Sequence, residues 1–295
     1  MDNISQIAIV GTGLLGVSVG LGLKAVGYTG RIVGIGRRSS TLDKALKTGG
    51  VDDVSLEIQP VIRESQLVVV GVPLGAFAEV FQSIAECDHD QLTITDVGST
   101  KVQVLDEARK YLPCPQRFVG SHPMAGSEKQ GPEAARADLF GGKPCIITRE
   151  EDTDTHALKT IEQLWHKLDM ALLYMSALEH DRKASAISHV PHLTTVLLIE
   201  TVAQLGGWDI ASTGFKDTTR LASSNPPMRA DIIAANRRQI IEAMDVFRDL
   251  FDQMYTLISQ DGYQQLLDRL QHDKQLRDGW LQRYQQAITR HADED

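Results

Sequence analysis

The segment "QIAIVGTGLLGVSVGLGL" (6–23) limits the possible folds of this 295-residue chain more than any other stretch. A short apolar run ends in Gly11, Gly13 and Gly16, spaced G-x-G-x-x-G, and an amphipathic helical stretch follows. Gly11 permits a tight turn, Gly13 lets the backbone approach a pyrophosphate, and Gly16 lets the helix pack close to the strand. The free N–H groups at the start of the helix then face phosphate oxygens. The spacing alone is common. Placed between an apolar strand and a helix in a βαβ unit, it points to a dinucleotide site; the bland alternative is a glycine-rich turn without a ligand.

The first half of the chain keeps alternating in this way. Residues 6–11, 31–36, 67–72, 92–97, 117–121, 144–148 and 171–175 are short runs rich in valine and isoleucine, separated by helical stretches. Continuous apolar runs suit strands buried on both faces, and alternation with helices suits a mostly parallel sheet. After residue 176 no strand run appears. The expected architecture is α/β followed by all-α: a doubly wound Rossmann-type domain over 1–176 and a helical domain over 177–295.

Within the helical half, 177–205 reads as a helix kinked at Pro191. Residues 214–227 read as a polar loop, and 260–291 as a polar helix. Ile233, Ile240, Met244, Phe247, Phe251, Met254 and Ile258 form a heptad-like seam on one long helix over 232–258. Such a seam packs either within its own domain or against a second subunit.

The end of the second strand bears on which dinucleotide is bound. A site for NAD usually carries an acidic residue there to accept from the ribose 2′-OH. This chain has Gly36 instead, followed by Arg37, Arg38 and Ser39. An arginine pair suits a 2′-phosphate, which a carboxylate would repel. The expectation is NADP in preference to NAD, with NAD use still open; the alternative is a solvated basic loop.

"VGSHPMAGSEKQG" (119–131) supplies a candidate base. Oxidising a hydroxyl releases a proton, and histidine accepts one near neutral pH. His122 follows the strand read at 117–121, on the sheet edge where α/β proteins bind ligands. Pro123 holds His122 in extended geometry, and Ala125 and Gly126 leave space beside it. Asp96, Ser99 and Lys101 lie just past the strand read at 92–97. Ser99 can bond a substrate hydroxyl or His122, while Asp96 or Ser99 can instead cap the next helix.

Charge excludes some partners. Lys and Arg total 30 against 39 Asp and Glu, a net charge of −9, which disfavours nucleic-acid binding but leaves room for one local cationic pocket. The three cysteines lie far apart, with neither a disulfide framework nor a zinc pattern, and no metal site is expected. Neither a leader segment nor an uninterrupted apolar run long enough to span a bilayer is read, so the expectation is a cytoplasmic protein without a membrane partner.

In order and spacing, "GTGLLG", "VGVP", "DVGSTK", "GSHPMAGSEKQGPEAARADLF", "SHVPH" and "GFKDTTRLASSNP" resemble the prephenate/arogenate dehydrogenase family of tyrosine biosynthesis, over about 4–260. The histidine loop and "GFKDTTR" are specific to that family; the glycine motif is generic. The resemblance implies NAD(P)-dependent oxidative decarboxylation of prephenate to 4-hydroxyphenylpyruvate, or of arogenate to tyrosine, in a homodimer formed through the helical domain. It implies that His122 deprotonates the ring hydroxyl with Ser99 sharing the contact, and that Arg220 binds a substrate carboxylate. Ser127, Ser188, His189 and His192 would line the substrate pocket, and Glu128 and Asp217 would form an ionic gate with the arginine. Leu14, Leu15, Val72 and Pro73 would join the glycines at the cofactor.

One position departs from the pattern. Some prephenate-specific members carry tryptophan just after "NPxM", where this chain has Arg229, so prephenate against arogenate stays open. Two other readings compete with the resemblance. One is a different two-domain NADP oxidoreductase, of the β-hydroxyacid dehydrogenase or pyrroline-carboxylate reductase type. The other is a non-catalytic NADP-binding sensor. The former does not account for "SHPMAGSEKQG" together with "GFKDTTR"; the latter predicts loss of His122, Ser99 or Arg220, and all three are present.

Overall fold

The computed structural model describes residues 1, 4–126 and 129–293, with side chains up to residue 286. Six strands form a parallel sheet: β1 (Gln6–Val10), β2 (Arg31–Ile35), β3 (Asp53–Ser55), β4 (Leu67–Val70), β5 (Thr93–Asp96) and β6 (Phe118–Val119). Their order is β3-β2-β1-β4-β5-β6, so the direction of winding reverses between β1 and β4. The connecting helices are α1 (Leu14–Ala25), α2 (Ser39–Lys47), α3 (Gln59–Ile62), α4 (Phe77–Ala85) and α5 (Val102–Tyr111).

Alternate residues of the central strands enter two separate cores. Ile7, Ile9, Leu67 and Val69 pack with Val17, Leu23 and Trp165. Ala8, Val10, Val68 and Val70 pack with Phe77, Phe81 and Ile84 on the other face. Burial on both faces explains why these strands read as unbroken apolar runs.

A second, three-stranded sheet follows. In it, β7 (Ser121–Pro123) runs antiparallel to β8 (Pro144–Thr148), which pairs in parallel with β9 (Ala171–Met175). Helix α6 (Thr155–Lys167) lies between β8 and β9 in the chain, and Asp154 caps it by accepting from Ala157 N at 2.7 Å. Two expectations change here. The run 117–121 is not one strand: β6 ends at Val119 and β7 begins at Ser121, in a different sheet. His122 therefore lies within β7, opposite Ile146, rather than after a strand. β3 escaped the sequence reading because three edge residues opening with an exposed aspartate carry no apolar run.

Helix α7 (Ala177–Ala184) is capped by Ser176 and passes through a π-helical turn, Ser185–His189, into α8 (Val190–Leu205). Pro191 explains the irregularity. Its ring would clash with the carbonyl of Ile187 in a regular α-helix, and the wider turn just before it relieves that clash. By length and composition alone, Ala177–Leu205 could cross a membrane. Its His180, Asp181, Ser185, His189 and His192 are buried in protein.

The segment 214–227 is helical, not a loop. It forms α9 (Thr213–Thr219), a 3-10 turn (Arg220–Ser223) and the start of α10 (Pro226–Ala235). Thr218 and Thr219 satisfy their hydroxyls on the carbonyls of Gly214 and Phe215, so the polar composition does not break the helix. Asn225 caps α10, with prolines in its first turn where no N–H is needed.

The continuous helix expected over 232–258 is interrupted at Asn236, which has φ −110° and ψ 26° and separates α10 from α11 (Arg237–Ser259). By packing, the chain divides into two compact units, Met1–Arg237 and Arg238–Asp295. The division falls later than the change from strands to helices at residue 176, because α7 to α10 pack with the sheet-bearing part. The second unit consists of most of α11 and of α12 (Tyr263–Asp293).

Candidate active site

The three glycines of the first turn sit in different surroundings. Gly11 has φ +104°, and a Cβ there would lie 2.4 Å from the carbonyl oxygen of Gly71. A Cβ on Gly16 would lie 2.3 Å from the carbonyl oxygen of Gly11. Both positions need glycine for packing. A Cβ on Gly13 would meet nothing within 4 Å, the open space that approach by a pyrophosphate requires. Leu14 and Leu15 open α1, whose unpaired N–H groups lie beside this space. Gly71 N donates to Val10 O at 2.7 Å, so the chain leaving β4 lies against the end of β1 where the winding reverses. Half-buried Val72 and exposed Pro73 follow at once. At the end of β2, Arg37, Arg38 and Ser39 are exposed, and neither arginine forms an ion pair among the described residues.

Farther along the same sheet edge, a buried polar network fixes the chain on which His122 stands. Asp96, at the end of β5, accepts from Ser121 N at 3.0 Å and from Gly98 N at 2.8 Å. The side chain of Lys101 bonds Asp96 and also donates to Ser121 O at 2.7 Å. Ser121 Oγ accepts from Trp165 Nε1 at 2.9 Å and shares a hydrogen bond with Thr95 Oγ1 at 2.8 Å. Burial pushes the Asp96 carboxyl up, while the Lys101 ammonium and the two backbone donors pull it down.

Three side chains line up from β7 into α7. His122 Nδ1 lies 2.8 Å from His180 Nε2, and His180 Nδ1 lies 2.7 Å from Asp181 Oδ1. Asp181 also accepts from the backbone N–H groups of Lys101 at 2.8 Å and Val102 at 3.0 Å. It therefore caps α5 from a distant helix, and neither Asp96 nor Ser99 has that role. With both carboxylate oxygens accepting, His180 donates from Nδ1 and offers Nε2 as an acceptor. His122 then carries its proton on Nδ1, which leaves the Nε2 lone pair open. Nε2 has no hydrogen-bond partner among the described residues.

The electrostatics keep this histidine neutral. Burial holds His122 well below the ordinary histidine value, and the neighbouring His180, Lys101 and His189 push the same way. Burial brings His189 down to about 4, opposed by Asp181 and assisted by Arg229. His192 is lowered by burial and by Arg229. Asn236 Nδ2 donates to Asp181 O at 2.8 Å and lies 3.1 Å from His189 Nδ1. The break between α10 and α11 thus delivers a side chain into the site.

Of the five buried side-chain polar atoms without partners among the described residues, all but Glu107 Oε2 belong to residues of this group or to neighbours of them. Thr100 Oγ1, His192 Nδ1, Arg229 Nε and Asn236 Oδ1 are all buried and unpaired. Orphaned groups carry a desolvation cost, and their clustering marks a place where a polar ligand completes the bonding.

Other expected residues stand farther from partners. Ser99 is half-buried and makes no hydrogen bond among the described residues, so the contact that His122 makes through Nδ1 goes to His180 instead. Ser188 is half-buried in the π turn. Arg220 and Asp217 are exposed, and no ion pair joins them. Ser127 and Glu128 lie outside the described residues.

His180, Asp181 and Asn236 were missed by the sequence reading. Asp181 belongs to a polar stripe, Asp181, Ser185, His189 and His192, repeating every three to four residues along the helical segment, and His180 precedes it directly. That periodicity was the available signal. Asn236 carried none, because its role depends on a helix break.

Two family models match the chain: the prephenate dehydrogenase nucleotide-binding domain over residues 19–174, and the prephenate dehydrogenase dimerization domain over 176–272. A prephenate dehydrogenase of Bacillus subtilis (strain 168) is 33% identical over 96% of this chain and 78% of the relative. The solved structure of Aquifex aeolicus prephenate dehydrogenase with hydroxyphenyl propionate and NAD+ superposes with a TM-score of 0.88 at 29% identity, covering 93% of this chain and 98% of the other. Synechocystis arogenate dehydrogenase gives a TM-score of 0.80 at 27% identity, covering 93% and 99%. With one model on the nucleotide-binding sheet and the other on the helices that carry His180, Asp181 and His189, the chain belongs to the prephenate dehydrogenase family.

Proposed function

We propose that this protein oxidatively decarboxylates prephenate to 4-hydroxyphenylpyruvate, or arogenate to tyrosine, with a nicotinamide dinucleotide as oxidant. The observation that carries this reading is His122: a neutral imidazole with Nδ1 engaged and Nε2 open, on β7, whose backbone is tied through Ser121 to Asp96 at the end of β5 in the sheet that carries the glycine turn. The space beside Gly13 and the start of α1 suit the pyrophosphate, and when bound the dinucleotide supplies the hydride acceptor. His122 Nε2 takes the proton of the ring hydroxyl, and Ser99, in the turn after β5, shares that contact. Arg220 binds a substrate carboxylate through its planar guanidinium. The neutral His189, which accepts at Nδ1 from Asn236, presents its other nitrogen as a donor, and His192 and Ser188 line the pocket beside it. The gating role of Glu128 and Asp217 belongs to the same reading.

Two finer points extend it. NADP is preferred over NAD: Gly36 stands where a carboxylate would accept from the ribose 2′-OH, and Arg37 and Arg38 beside it are exposed and form no ion pair among the described residues. The functional unit is a homodimer. Within the second unit, Phe247, Phe251, Tyr255 and Ile258 of α11 stay exposed, an apolar stripe that a second chain would cover. The test is reduced-nicotinamide absorbance with each dinucleotide and each substrate, together with CO2 release. Turnover of either substrate supports the reading; a folded, dinucleotide-binding protein that turns over neither removes it.

A further inference from the structure

The contacts of His122 extend beyond what a base alone requires. His122, His180 and Asp181 form an unbroken line of hydrogen bonds of 2.8 and 2.7 Å, and they come from β7 and α7, segments 58 residues apart in sequence. His180 is 1% exposed and Asp181 is fully buried. We propose that His180 and Asp181 are a proton relay behind His122: as His122 Nε2 takes the substrate's hydroxyl proton, its Nδ1 proton passes to His180 Nε2, and the new imidazolium is held by the Asp181 carboxylate.

The balance is simple. One O–H bond of the substrate breaks and one N–H bond forms at His122 Nε2. One N–H bond at His122 Nδ1 breaks and one forms at His180 Nε2. No electrons move beyond those bonds, and the hydride leaves the substrate separately. The positive charge ends on His180 instead of on His122.

The surroundings give this transfer its direction. A charged His122 faces the Lys101 ammonium beneath it and His189 beside it, and burial opposes it further. The acid nearest to Lys101 is Asp96, which is already engaged by that ammonium and by two backbone N–H groups. Arg229 adds positive potential on the side of His189 and His192. A charge moved to His180 instead lies in contact with Asp181. Asp181 is rigid, since two backbone N–H groups at the start of α5 and the helix dipole hold its oxygens. The carboxylate is in place before the reaction, so little reorganisation accompanies the transfer.

His180 acts through His122 and is a positioning residue, and the inference rests on the reading of His122 as the proton acceptor. The test uses single-turnover rates of the full-length enzyme with NADP+ (or NAD+) and whichever of prephenate and arogenate is turned over, in mixtures of H2O and D2O. In the wild type, two protons in flight give a curved dependence of rate on deuterium fraction. In His180→Gln, the glutamine oxygen still accepts from His122 Nδ1, so orientation and KM persist, but no second proton can move. The expected result is a straight dependence, a rate lowered by about 10²-fold, and an unchanged melting temperature. A wild-type rate in His180→Gln, or a straight dependence in the wild type, overturns the relay.

Nitrogen-15 NMR of the wild type gives a second reading that needs no variant. Both histidines should carry their proton on Nδ1 at neutral pH; a proton on His122 Nε2 overturns the proposal. His122→Asn separates the two levels. If it keeps the rate, the assignment of His122 as base is wrong. If it loses the rate while His180→Gln does not, only the relay is wrong.

Discussion

Lys101 and Asp96 form an ion pair in which neither side chain is more than 1% exposed, directly under the backbone of Ser121. The pair sets the position of β7 and hence of His122. Removing one member leaves the other charged and buried. Lys101→Met is expected to destabilise the protein by about 3–5 kcal/mol, read from urea denaturation midpoints. A loss below about 1 kcal/mol would show that the network is not what holds this strand.

The glycines separate packing from binding. Gly11→Ala places a methyl against Gly71 at a positive φ, and a loss of roughly 2–5 kcal/mol of stability is expected. Gly13→Ala meets no protein atom, so stability should stay within about 0.5 kcal/mol while the KM for the dinucleotide rises about tenfold or more. Thermal melts paired with cofactor titrations distinguish the two; equal effects in both variants would contradict the assignment.

Acid should weaken the fold through His189. Its native value is about 4, below the ordinary 6.5, so the unfolded chain takes up a proton that the native state refuses. Above pH 6.5 neither state holds that proton and the effect is nil. Stability falls as pH drops from about 6.5 to about 4, by about 3 kcal/mol in total, and the loss is complete below that range. His189→Gln removes this component, so the denaturation free energy should fall less between pH 7 and pH 5 than in the wild type. Parallel slopes for the two proteins would exclude it.

Catalysis should tolerate the same acidification. In the proposed role His122 acts in its neutral form, and burial and its neighbours hold its value well below 6.5. The acid limb of kcat/KM is therefore expected below pH 6.5, with a flat profile from there up to pH 8. An acid limb centred at or above 6.5 would contradict the depressed value.

Arg220 is exposed and forms no ion pair among the described residues, as a proposed contact to a substrate carboxylate requires. Arg220→Gln should raise the substrate KM by about 10–100-fold with kcat little changed, the loss of one charged hydrogen-bonded contact. Steady-state kinetics settle the matter, and a changed kcat with an unchanged KM would assign the arginine another role.

The sequence was most readable where physics acts locally. The glycine turn, the apolar strands and Pro123 beside His122 each express a constraint set by immediate neighbours or by burial on both faces. His122 could be singled out for the same reason. His180 and Asp181 could not, because their partners are His122, Lys101 and Val102, which only the folded chain brings near. Asn236 was hidden inside a seam that reads as one helix, since its apolar spacing continues across the break. The segment around Arg220 misled through composition: threonines that bond their own helix look like a loop when only polarity is counted.

The π turn at Ser185–His189 makes the site a matter of angular phase as well as of residue identity. A turn of this type holds one residue more than an α-turn, and each residue advances a helix by about 100°. Upstream of it stand His180 and Asp181; His189 closes it and His192 follows. Closing the turn by deleting the exposed Ile187 would keep all four of these side chains in the sequence, yet rotate His189 and His192 by about 100° relative to His180 and Asp181. If these side chains act as proposed, the length of this five-residue turn sets their relative direction, a constraint invisible to any comparison that counts only which amino acids are present.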